Sequence, residues 1–242
     1  MAFFQEFRPA REPMLRAPGS VIALIAVLVA AHVARVLAPA AVSEQILLVF
    51  ALDPIVYSAQ ALKALGATTP SLFDLLTPPL GHIFVHANFT HLGLNCIWLL
   101  AFGPVVARRF GGGPFLLYFF LCGLMGAATF VALDWGHNVA GIGASGAISG
   151  LMGGAIRMID FRQPWLSGAT LPLAPLLSSR ILLFSAVWLA INFATGLIGL
   201  GPDGSFQTIA WQDHLGGYLG GLLLAGPFDS LTGLKARLRR AS

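Results

Sequence analysis

The chain has 242 residues, of which 57% are apolar and 10% charged, with a formal net charge of +4. Soluble domains carry about 25% charged residues, so this composition excludes a soluble globular domain and requires a membrane protein built from helices or a closed barrel. The two cysteines, Cys96 and Cys122, both sit inside apolar runs, which excludes a disulfide framework and leaves buried, inert thiols.

The first 20 residues, MAFFQEFRPAREPMLRAPGS, are polar, include Glu6 and Glu12, and are read as a cytoplasmic tail. They lack a cleavage site after a short apolar core, so no removed signal peptide is expected. The apolar runs that follow are long and continuous rather than alternating, which favours helices over barrel strands. Six can be counted: Ser20–Val42, Phe89–Ala107, Pro114–Leu133, Ala144–Ile159, Ile181–Leu200 and Trp211–Pro227. Most reach the roughly 20 residues needed to cross a bilayer core. The predicted fold is therefore an all-α polytopic membrane protein with a six-span bundle over residues 21–231 and a basic cytoplasmic tail at 232–242. Residues 43–88 form a first external loop that is too long for a simple turn and is expected to fold back into the interface.

The basic residues set the orientation. Arg8, Arg11 and Arg16 precede the first span, and Arg108 and Arg109 follow the second. Arg157, Arg162 and Arg180 lie between the fourth and fifth, and Lys235, Arg237, Arg239 and Arg240 follow the sixth. With six spans, 12 of the 14 basic residues share one side, leaving Arg35 and Lys63 towards the other. Both termini are expected to be cytoplasmic. This rule accounts for the net charge, and no nucleic-acid partner is expected.

The chemistry concentrates in three stretches. GIGASGAISGLMGG, Gly141 to Gly154, fences Ser145 with glycines, and Gly146, Gly150 and Gly154 recur every four residues. HLGGYLGG places Gly217 and Gly221 three and seven residues after His214, on its helix face. Glycine faces let membrane helices approach closely, so the fourth and sixth spans are expected to pack together and bring Ser145 to His214. Helix rise supports similar depth: from Ser145 it is about 18 Å to Arg157 and about 22 Å to Asp160, and from His214 to Asp229 about 22 Å. An imidazole can take the proton that makes a serine hydroxyl nucleophilic. The glycine turn into the helix at Ser145 exposes backbone N–H groups able to hold an oxyanion.

The second span adds HIFVHANFTHLGLN, with His82, His86, His91 and Asn95. His91 and Asn95, at i and i+4, share a helix face and both donate hydrogen bonds, so they fit an oxyanion hole. No carboxylate or thiol stands beside these histidines to complete the four ligands of a structural zinc site, and no metal or cofactor is expected. His82 is assigned to the loop. Asp213 adjoins His214, but neighbouring helical residues point about 100° apart, so a Ser-His dyad is expected rather than a triad, with Asp213 facing water or capping its helix.

Together these stretches resemble the rhomboid intramembrane serine proteases. GASG at Gly143–Gly146 resembles the family's nucleophile motif, HLGLN at His91–Asn95 its second-span motif, and HLGGYLGG its sixth-span histidine and glycines; His86 matches a further family histidine. The resemblance spans roughly residues 72 to 228. It implies a serine endopeptidase that cleaves transmembrane segments of other membrane proteins, with Ser145 as nucleophile, His214 as base, and the Ser145 amide, His91 and Asn95 around the oxyanion. It also implies substrate entry between the second and fifth spans and a cap at Gly201–Ala210. The implied partners are single-span membrane proteins and the lipid bilayer, in a bacterial inner membrane. Three departures stand out. Asp213 replaces a small residue, Ser149 replaces an aromatic that supports the histidine ring, and Phe73-Asp74 replaces a Trp-Arg pair. The competing expectation is a rhomboid-like protein that binds transmembrane helices without cutting them. A channel or transporter fits less well, because the polar cluster stops in the outer half of the bilayer.

Overall fold

The computed structural model describes residues 17–159, 172–198 and 210–241, with side chains to 233. Arg8, Arg11, Arg16 and Arg162, and the predicted cap apart from Ala210, lie outside the described residues.

Among the described residues the structure is helical. Helix α1 spans Gly19–Leu37. It stops short of the predicted Val42 because Pro39 bars the helical region to Ala38, which is extended at φ −71°, ψ 155°. The connection to the next long helix is broken into short pieces: α2 at Ala40–Phe50, a 3₁₀ turn at Pro54–Tyr57, α3 at Ala59–Ala64, α4 at Leu72–Leu76, α5 at Pro78–Gly81 and a second 3₁₀ turn at His82–Phe84. Its anchors are polar. Arg35 donates to the His86 carbonyl at 2.8 Å and to Ser43 Oγ at 3.1 Å, and Tyr57 donates to the Leu75 carbonyl at 2.9 Å. Leu72, Phe73, Leu76 and Leu80 remain exposed on α4 and α5.

The long helices follow: α6 at Phe89–Phe110, α7 at Gly112–Leu133, α8 at Ser145–Met158, α9 at Ser179–Ile198 and α10 at Trp211–Ala241. Asn88 caps α6 by accepting the His91 N–H at 2.8 Å, and Gly111, at φ +84°, turns the chain into α7. Four helices, α1, α6, α7 and α9, are long and apolar enough to cross a membrane. The other two predicted spans differ physically. Helix α8 has 14 residues, about 21 Å at helical rise. Helix α10 opens on Gln212-Asp213-His214 and continues through Pro227 into its basic end. Pro227 removes the N–H that would pair with the Leu223 carbonyl, while the nearby Gly221 and Leu222 carbonyls accept from Tyr118 Oη and Arg157 Nη1, both at 2.6 Å.

Helix α8 forms the centre, enclosed by α6, α7 and α10, with nearly all its side chains buried. An all-round small and apolar surface suits such a position. A Cβ on Gly217 would overlap the Gly146 carbonyl oxygen, and one on Gly221 would overlap that of Gly150. The other half of each α10 doublet faces a different neighbour: Gly216 and Gly220 abut Met125 and Thr129 of α7. Each GG pair therefore admits two helices at once. At the far end, Arg109 grips Asp229 through Nε–Oδ1 at 2.6 Å and Nη2–Oδ2 at 2.9 Å, joining α6 to α10.

Gly221→Val places carbon where the Gly150 carbonyl stands. It is expected to destabilise the protein by about 1–3 kcal/mol or more, measured as a lower unfolding midpoint in detergent. Gly93→Ala, with open space at the site, is not expected to lower it.

Candidate active site

The connection into α8 is pinned from below before the helix begins. Leu52 and Gly141 exchange backbone hydrogen bonds at 2.9 and 2.8 Å, and the Gly143 N–H donates to the His82 carbonyl at 2.9 Å. Gly143 takes φ +114°, a conformation that side-chain-bearing residues rarely adopt. A Cβ there would also lie 2.7 Å from His91 Nε2. Glycine is thus needed for both backbone shape and space, and the chain turns directly into α8 with Ser145 at the first helical position.

Ser145 Oγ and His214 Nε2 lie 2.8 Å apart, across the seam between α8 and α10. They open onto a cavity of about 640 Å³, which His91 and Asn95 of α6 and Ser149 of α8 also line. Asn95 is buried, and its Nδ2 donates to the His91 carbonyl at 2.9 Å, which uses one of its two N–H groups. His86 does not reach the cavity. It is wholly buried behind His91, edge to face at 5.2 Å, with His32 of α1 on its other side at 6.3 Å. The structure therefore gathers Ser145, His214, His91 and Asn95 at one cavity, sets Gly143, Gly146, Gly217 and Gly221 behind it as close-contact points, and holds His86 one layer back.

One residue departs from the sequence reading. Asp213 neither faces water nor caps its own helix. It is 5% exposed, and its carboxyl meets the Gly146 backbone N–H at the start of α8, with Gly126 of α7 against it. The unpaired amides and positive end of a helix dipole draw in a carboxyl group, and α8 offers that end beside Asp213. His82 lies in the connection between α1 and α6, as expected, and is buried there. Its Nδ1 donates to the Pro78 carbonyl at 2.9 Å, while its Nε2 stands 3.9 Å from Asp213 Oδ1, beyond hydrogen-bond distance. The carboxyl points away from the His214 ring, so the adjacent acid does not brace it.

The residue that does touch the ring was not singled out from the sequence. Asn192 of α9 lies 2.8 Å, through Oδ1, from His214 Nδ1. The available signal was an amide in the middle of an otherwise apolar span, LAINFATG, where polar groups are costly and mark function.

Residues 70–228 match the family model described as the rhomboid domain. The chain belongs to the rhomboid family. With four helices able to cross a bilayer, this rhomboid is an integral, multi-pass membrane protein. It is 34% identical over 139 residues to a Bacillus subtilis (strain 168) protein named "Putative rhomboid protease YdcA", covering 56% of this chain and 66% of that one. It is 30% identical over 142 residues to "Rhomboid-like protein 11, chloroplastic" of Arabidopsis thaliana, covering 58% of this chain and 48% of that one. The matched regions thus span just under two thirds and about half of those two rhomboid relatives.

Asp213→Ala strips the Gly146 amide of its acceptor and is expected to cost about 1–3 kcal/mol in unfolding free energy. Asp213→Asn, which keeps an acceptor oxygen, is expected to cost less. Reversible unfolding in mixed micelles reads both.

Proposed function

We propose that this rhomboid is an intramembrane serine endopeptidase that cleaves transmembrane segments of single-span membrane proteins. The observation that carries the reading is the 2.8 Å approach of Ser145 Oγ to His214 Nε2, in a cavity that His91 and Asn95 also line.

His214 Nε2 accepts the Ser145 hydroxyl proton as Oγ attacks the scissile carbonyl carbon. The carbonyl electron pair moves to oxygen, where the Ser145 amide and the side chains of His91 and Asn95 donate to it. The imidazolium returns its proton to the leaving amine, the C–N bond breaks, and an acyl-enzyme remains. Water, deprotonated by His214, then attacks the ester and frees Ser145.

The substrate helix enters between the second and fifth spans, α6 and α9. Beside His91 and Asn95 of α6 and Asn192 and Thr195 of α9, the cavity wall on these helices is apolar, formed by Leu94, Trp98 and Phe102 on one side and Phe184, Trp188 and Ile191 on the other. In this reading all six long helices cross the membrane, both termini are cytoplasmic, and the site lies in the outer half of a bacterial inner membrane. The positions of Arg109 and Arg157 at the end of the bundle remote from Ser145 support that orientation. A second reading, a rhomboid-like protein that holds transmembrane helices without cutting them, draws on Asp213 and Ser149, which depart from the family pattern.

Ser145→Ala and His214→Ala are each expected to lower cleavage of a single-span substrate in proteoliposomes by roughly a thousandfold or more. A fluorophosphonate probe is expected to label Ser145 only while His214 is present. Undiminished cleavage in either variant overturns the dyad, and absent labelling of the unmodified chain favours the non-cutting reading.

A further inference from the structure

The α9 side of the cavity carries Asn192 at the level of the imidazole. Its side chain is buried, at 7% exposure, and makes two hydrogen bonds. Nδ2 donates to the Trp211 carbonyl at 3.0 Å. A carbonyl oxygen can only accept, so this bond fixes which way the amide points: nitrogen to Trp211, oxygen to His214. Oδ1 in turn lies 2.8 Å from His214 Nδ1. An amide oxygen is also only an acceptor, so Nδ1 must carry the proton. A neutral imidazole has one ring proton, and the hydrogen bond at one nitrogen decides the state of the other. Nε2 is therefore left with its lone pair, and it is Nε2 that faces Ser145 Oγ at 2.8 Å.

We propose that Asn192 is a positioning residue for the reaction, which selects the His214 tautomer able to take the Ser145 proton and steadies the imidazolium that results. This inference rests on the Ser145–His214 chemistry proposed above. When the Ser145 O–H bond breaks and the Nε2–H bond forms, the ring gains a positive charge. The Nδ1–H already points at the Asn192 carbonyl dipole, so no group has to reorient. A neutral amide does this without placing another charge among apolar helices, and among the described residues no other side chain bonds His214 Nδ1: Asp213 turns to Gly146 and His91 stands across the cavity.

The amide is held in place by the docking of α9 on α10. Ile181, Ser185, Trp188 and Asn192 recur at helical spacing along one face of α9. Ile181 and Trp188 pack with Tyr218 and Leu222, the Trp188 and Tyr218 rings stack at 4.3 Å, and Ser185 Oγ meets Tyr218 Oη at 2.7 Å. Asn192 is the polar member of that stripe nearest His214.

The test reads the tautomer directly, by nitrogen NMR of protein labelled with ¹⁵N-histidine in nanodiscs, with the His214 signals assigned from His214→Ala. The unmodified chain is expected to show a protonated Nδ1 and a bare Nε2 at His214. Asn192→Leu, similar in size but without an acceptor, is expected to lose that preference and to lower kcat by about a hundredfold with little change in KM. Asn192→Asp restores an acceptor and is expected to restore the Nδ1–H tautomer and most of the lost kcat, which a purely structural role would not produce. A protonated Nε2 in the unmodified chain overturns the proposal, as does an unchanged tautomer in Asn192→Leu. The spectra require no turnover, so they decide this inference even where Ser145→Ala shows that the protease reading itself has failed. Where Asn192→Leu does not fold, the spectra of the unmodified chain and Asn192→Asp decide.

Discussion

Backbone-to-backbone contact between α8 and α10 is the constraint on which the rest of the molecule depends. In lipid there is no hydrophobic gain from bringing two apolar helices together, so association relies on close packing and hydrogen bonds. Gly146 and Gly150 of α8 meet Gly217 and Gly221 of α10 so closely that no Cβ fits between them. The same seam carries Ser145 and His214 at its end, separated by one hydrogen bond. Packing and chemistry are thus one feature seen at two scales. The glycine doublets let α7 press on the opposite side of α10, so that helix is gripped from both directions.

Much of this was legible in the sequence. Hydropathy located every long helix to within a few residues at most ends, because an apolar run bounded by proline, glycine or arginine leaves little freedom in lipid. Glycine spacing identified which faces of α8 and α10 would touch. Other features needed three dimensions. Pro39 cut α1 short of the predicted end, while α10 runs on through Pro227 to Ala241. The segmentation of residues 43–88 depends on anchors supplied from elsewhere, such as Arg35 to the His86 carbonyl.

The polar groups inside the bundle were the hardest to read. Asp213 was expected to face water or cap its own helix, yet the amide end of α8 supplies a partner that no linear pattern reveals. Asn192 lies 22 residues before His214 on a span that otherwise reads as plain hydrocarbon. Its meaning depends on the docking of α9, not on local sequence. Where family members often place an aromatic ring four residues after the nucleophile, this chain has Ser149, and the His214 ring is held instead through its nitrogen by Asn192. One lost contact and one gained contact sit on different helices, which hides the exchange from any single motif.

The tightness of the glycine seam divides the labour within the molecule. Where α8 and α10 meet at these glycines, main chain lies against main chain with no side chain to swing aside, and the alcohol and imidazole stand beside that joint. Compliance belongs instead to the walls formed by α6 and α9, whose large rings and branched chains can change rotamer. Under the proposed protease reading, a bulky guest is accommodated on one flank while Ser145 and His214 on the other keep their alignment, much as a vice keeps one jaw fixed.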